Sequence, residues 1–120
     1  MFKRKIMKEL IAWKNDSSKK KALVIKGMRQ IGKTYIVKSF AEEYYENIVY
    51  INFKDNISAR TVFDGDYIVD RMVVDLSALI PGSHFVPNNT IIIFDEIQEC
   101  ANARASIKAF ILDGRYDIIC

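Results

Sequence analysis

Eight residues constrain this chain more than any others: Gly27-Met28-Arg29-Gln30-Ile31-Gly32-Lys33-Thr34. Before them stands Ala22-Leu23-Val24-Ile25, short, continuous and apolar, which is how a parallel strand covered on both faces reads. After them, from Lys33 to about Glu46, Tyr35, Ile36, Phe40 and Tyr44 recur at helical spacing. Strand, glycine-bearing loop and helix thus follow in order around the pattern G-x-x-x-x-G-K-[ST], the sequence form of a phosphate-binding P-loop. A plain connecting turn with two glycines is the alternative, and the flanking strand and helix weigh against it.

The chemistry of an anion explains each position. Gly27 and Gly32 let the backbone turn tightly and bring N–H groups close to phosphate oxygens. The loop opens a helix, whose first N–H groups and positive dipole end favour phosphate. Lys33 adds a point charge on the β- and γ-phosphates, a catalytic as well as a binding role, and Thr34 offers a hydroxyl oxygen to Mg²⁺. The candidate nucleotide-binding residues are therefore Gly27, Met28, Arg29, Gln30, Ile31, Gly32, Lys33 and Thr34.

Strands and helices alternate along the chain. Phe2, Ile6, Leu10 and Trp13 make residues 2–14 an amphipathic helix, and Asn15 to Lys20 is a polar loop. Ile48 to Phe53 reads as a strand. Ile68, Met72, Leu76 and Leu79 form a helix with Asp66 as its expected N-cap and Pro81-Gly82 as its stop. Ile91 to Phe94 is the most hydrophobic strand, a helix runs from about Ala101 to Leu112, and Tyr116 to Cys120 is a last strand. Such alternation predicts an α/β layered fold with a parallel sheet.

With 120 residues, 50% of them hydrophobic and 28% charged, the chain has the makeup of one globular domain. A net charge of +3 is too slight to indicate a nucleic-acid partner. Cys100 and Cys120 lack C-x-x-C spacing and partnering histidines, so neither a zinc site nor a disulfide framework is expected. No apolar run reaches membrane-spanning length and the charged N-terminus is unlike a signal peptide, so the expected location is the cytoplasm. His84, the lone histidine, is expected at the surface.

A P-loop needs an acid for Mg²⁺ at the end of a neighbouring strand, and Thr90-Ile91-Ile92-Ile93-Phe94-Asp95-Glu96 supplies one at Asp95. This is the Walker B pattern, placed where parallel sheets open their ligand crevice. Glu96 follows directly and is the candidate to orient or deprotonate an attacking water. Strand alternation would send the two carboxylates to opposite sides, dividing metal from water.

Taken together, "GMRQIGKT", "YINFKDN", "TIIIFDEIQEC" and "YDIIC" resemble the AAA-type ATP-binding domain of bacterial and archaeal proteins with a G-x-R-Q-x-G-K-[ST] P-loop and a D-E-I-Q Walker B ending. The resemblance implies a three-layer α/β/α P-loop NTPase fold with parallel strands in the order 5-1-4-3-2. It implies ATP and Mg²⁺ as ligands, with Lys33 and Thr34 on phosphate and metal, Asp95 on metal and Glu96 on water. Arg29, Gln30 and Gln98 match the signature without a defined role. Family members continue past the last strand with a sensor residue, a fifth strand and a lid, so residues 1–120 are expected to be the N-terminal part of such a domain. Without a fifth strand, Ala22 to Ile25 would form a sheet edge open to self-association, and turnover is expected to be weak.

Rival functions share the cradle. A P-loop phosphotransferase is disfavoured by Glu96 beside Asp95, a GTPase by the lack of an N-K-x-D sequence in these residues, and a nucleotide-dependent interaction module would not depend on Glu96.

Overall fold

The computed structural model describes residues 2–16, 23 and 31–120. The elements are α1 (Phe2–Asn15), α2 (Ile31–Tyr44), β1 (Asn47–Asn52), α3 (Ile57–Arg60), α4 (Val69–Leu79), β2 (Thr90–Asp95), α5 (Ala101–Asp113) and β3 (Asp117–Ile119), with 3-10 turns at Thr61–Asp64 and Ile97–Glu99.

The three strands form a parallel sheet in the order β1-β2-β3. Leu23 extends it on the β3 side: its N–H donates to the Ile118 carbonyl at 2.9 Å, and the Cys120 N–H donates to the Leu23 carbonyl at 2.9 Å. The lateral order is therefore Leu23, β3, β2, β1, which reproduces the 1-4-3-2 portion of the expected arrangement. Of the strand expected at Ala22 to Ile25, the residues other than Leu23 lie outside the described ones.

Period-two alternation divides the core into two halves. Ile91, Ile93 and Ile119 pack against Leu10 of α1 and Ile36, Val37, Phe40 and Ala41 of α2. Ile92, Phe94 and Ile118 face the other way, with Val49, Ile51 and Phe53 of β1 and its outgoing turn, onto α4, α5 and the 3-10 turn between α3 and α4. All six residues of β2 are buried, as a central strand with helices on both faces requires. Phe94 lies at the centre of an aromatic cluster, edge-on to Phe53, Phe63 and Phe110 at centroid distances of 5.4, 5.8 and 6.2 Å.

Local chemistry sets the element ends. The Asn56 side chain accepts from the Ala59 N–H at 3.1 Å and starts α3. Gly114, at φ 77°, closes α5 by donating its N–H to the Phe110 carbonyl. The expected role of Asp66 is corrected: α4 begins at Val69, and Ile68 holds the N-cap position. Asp66 Oδ1 instead accepts from the Ile68 N–H at 3.2 Å and from Arg71 Nε at 3.0 Å. Its carboxylate closes a turn just outside the helix and pairs with the first turn, so the helix starts later than the capping preference implies.

At the amino end of the sheet, the Tyr45 hydroxyl donates to Asp117 Oδ2, and Lys14 Nζ lies 5.0 Å from the Tyr45 ring centroid. One ring thus joins α1, the end of α2 and the start of β3. Tyr45 is only 8% exposed, and burial first, then its bond to the Asp117 carboxylate, pushes its pKa well above the ordinary phenol value. Above about pH 10, tyrosine in the unfolded chain ionises while folded Tyr45 keeps its proton, so the folded state binds more protons and stability falls as pH rises. For this one group the loss is expected to approach about 1.4 kcal/mol per pH unit. Urea melts on either side of that pH check it; a midpoint that stays constant into the alkaline range contradicts it.

Candidate functional site

Asp95 ends β2 and is 4% exposed. Its backbone carbonyl accepts the Phe53 N–H at 3.0 Å, which fixes the strand end. Its side chain follows Ile91 and Ile93 onto the face covered by α2. There Oδ1 accepts the Glu96 N–H at 2.9 Å, and Oδ2 accepts the hydroxyl of Tyr50 from β1. Tyr50 pairs in register with Ile93, so it reaches Asp95 along the diagonal, two residues further on.

The direction of α2 brings the first turn of that helix to the same edge. Its far end is anchored by Tyr45 at Asp117, which is level with Ile91. Running back from Tyr45 to Thr34, 11 residues (45 minus 34) rise about 16 Å. From Ile91 to Asp95, 4 residues (95 minus 91) rise about 13 Å. The first turn of α2 therefore arrives level with the carboxyl end of β2. Consistent with this course, Lys38 Nζ lies 3.9 Å from the Tyr50 ring centroid, and Tyr35, Lys38, Ser39 and Glu42 of α2 line a cavity of about 330 Å³ with Ile48 and Tyr50.

Gly27, Met28, Arg29 and Gln30 lie outside the described residues, as do the side chains of Ile31 and Lys33. Ile31, Gly32, Lys33 and Thr34 form the opening turn of α2, the helix that the motif requires after its loop, and Thr34 is partly buried.

Glu96 departs from the expected geometry. It is not a strand residue; β2 stops at Asp95, and Glu96 adopts the left-handed conformation, φ 53° and ψ 42°. The Asp95 carboxylate that takes the Glu96 N–H turns the chain away before alternation can send the next side chain across the sheet. Left-handed backbone at a residue other than glycine costs of order 1–3 kcal/mol and is concentrated at functional sites. Glu96 is partly exposed, and the Gln98 side-chain amide donates to Glu96 Oε1. The Ile97–Glu99 turn brings this glutamine back onto the carboxylate.

The other candidates are quiet. His84 is exposed, as expected. Cys100 and Cys120 are buried free thiols, and burial pushes the Cys120 thiol up. No helix among the described residues is long and apolar enough to cross a membrane.

The model of the family described as AAA domain matches residues 19–120, most of the chain. The chain belongs to that family. No curated protein and no solved structure matches it. Membership makes this AAA domain a nucleotide-binding domain of the ATPase type and agrees with the parallel sheet and its two helical layers. Two features of the site were not anticipated in sequence: the Tyr50 bond to Asp95 and the Gln98 bond to Glu96. The first had a signal, since alternation from Ile48 puts Tyr50 on the α2 face, but its partner follows only from the register.

Proposed function

We propose that this AAA domain binds ATP as its Mg²⁺ complex and hydrolyses it. The observation that carries the reading is the buried Asp95 carboxylate at the carboxyl end of the central strand, level with the helix turn that completes the P-loop pattern and followed at once by Glu96.

The donor set suits Mg²⁺. Asp95 presents hard oxygens, and its two hydrogen bonds leave about half of a carboxylate's four lone-pair sites for a cation or its waters. With the Thr34 hydroxyl, that is the small protein contribution a Mg²⁺–phosphate site uses. The bound ion would supply charge neutralisation across the β- and γ-phosphates. Lys33 would add its charge to the same oxygens, and the loop N–H groups would hold the phosphates in line. Glu96 would take the proton of the attacking water, and Gln98, donating to one carboxylate oxygen, leaves the other free to do so.

Phosphate release from ATP is expected to require Mg²⁺ and to stop when the ion is chelated, with GTP turned over more slowly. Release unaffected by chelation contradicts the metal-dependent reading, and equal rates with the two nucleotides contradict the preference for ATP.

A further inference from the structure

We infer that Tyr50 is a positioning residue for the metal-binding carboxylate of Asp95, setting the affinity of the site for Mg²⁺ without touching nucleotide. The inference rests on the Mg²⁺–ATP reading above.

A strand-end aspartate can turn about two side-chain bonds, and a cation held by one carboxylate depends on where those bonds settle. In this domain both oxygens are engaged from different directions. The Glu96 N–H holds Oδ1 from the chain's own next residue, and the Tyr50 hydroxyl holds Oδ2 from the neighbouring strand. Two donors on two oxygens fix the carboxylate plane, which one donor would leave free to swing. The tyrosine is itself held: its backbone lies in the β1–β2 ladder opposite Ile93, and its ring lies beneath Lys38 Nζ at 3.9 Å. The orienting group therefore sits on a rigid strand and is pinned by the helix that the P-loop opens. Hydrogen bonds of this kind, one shell out from the metal, typically change metal affinity by 10- to 100-fold when removed.

The test is a titration of Mg²⁺ into the protein with ATP held constant, compared with ATP binding in chelator. Tyr50→Phe keeps the ring and removes only the donor. The expected result is a Mg²⁺ midpoint raised by about 10-fold or more, with metal-free ATP binding unchanged. In an Asp95→Asn background the same change should add nothing, because the group it positions is no longer a carboxylate. A midpoint within about 2-fold of the wild type, well inside the range for such partners, overturns the inference. So does an equal loss of metal-free binding, which would mean that Tyr50 merely supports α2, or a further shift in the Asp95→Asn background. If Tyr50→Phe is too unstable to assay, Tyr50→Leu, which likewise has no side-chain donor, carries the same expectations. A wild-type protein whose ATP binding ignores Mg²⁺ overturns the functional reading itself, a result distinct from failure of the tyrosine variant alone.

Discussion

Glu96→Gln is expected to lower ATP turnover by about 10²- to 10⁴-fold, the usual worth of a positioned general base, while Mg²⁺-ATP still binds. The amide has nearly the carboxylate's shape but cannot take a proton. The Gln98 amide that now donates to Glu96 Oε1 can donate to the new amide oxygen instead, so the turn need not rearrange. Glu96 is partly exposed and its side chain bonds the exposed Gln98, while its backbone bond to Asp95 does not depend on the side chain, so the melting temperature should stay close to wild type. Single-turnover phosphate release beside equilibrium binding separates the outcomes. Lost turnover with retained binding places Glu96 on the water. Turnover kept within about 3-fold, far less than a general base contributes, would remove it from the chemistry and favour a domain that uses nucleotide only to set its shape.

The central strand was legible because burial on both faces leaves a plain signature: Ile91 to Phe94 is continuously apolar and ends in an acid. The helices at α1, α4 and α5 announced themselves by apolar spacing; α1 and α5 begin at the expected Phe2 and Ala101 and run one residue further than expected, while α4 begins later, at Val69. The segment after β1 gave no period to read. It folds as the four-residue α3 and a four-residue 3-10 turn, too short for a stripe, and it buries Ala59, Val62 and Phe63 through tertiary packing.

The two errors share one physical origin, a carboxylate that bonds nearby backbone. Asp66 takes the Ile68 N–H in place of capping α4, and Asp95 takes the Glu96 N–H and ends the strand. Local side-chain bonds of this type compete with regular structure, and average preferences do not say which will win. The Tyr50 to Asp95 contact lay further out of reach, because it depends on the register between β1 and β2.

Lys33→Ala is the other change with a large expected effect. Its ammonium is the one side-chain charge that the P-loop pattern itself directs at the β- and γ-phosphates. Removing one partner of a close, hydrogen-bonded charge pair costs about 2–5 kcal/mol, or roughly 30- to 5,000-fold in affinity. The residue lies in the opening turn of α2, and alanine is the best helix former, so the helix should tolerate the change.

The most direct measurement is calorimetric titration of Mg²⁺-ATP and Mg²⁺-GTP into the wild-type protein and into Lys33→Ala, with folding of both verified by circular dichroism. Saturable binding that prefers ATP and collapses in the variant is the predicted result. Absence of binding in a folded wild-type protein, or equal binding in both proteins, would contradict the assignment of residues 27–34 as a working nucleotide cradle.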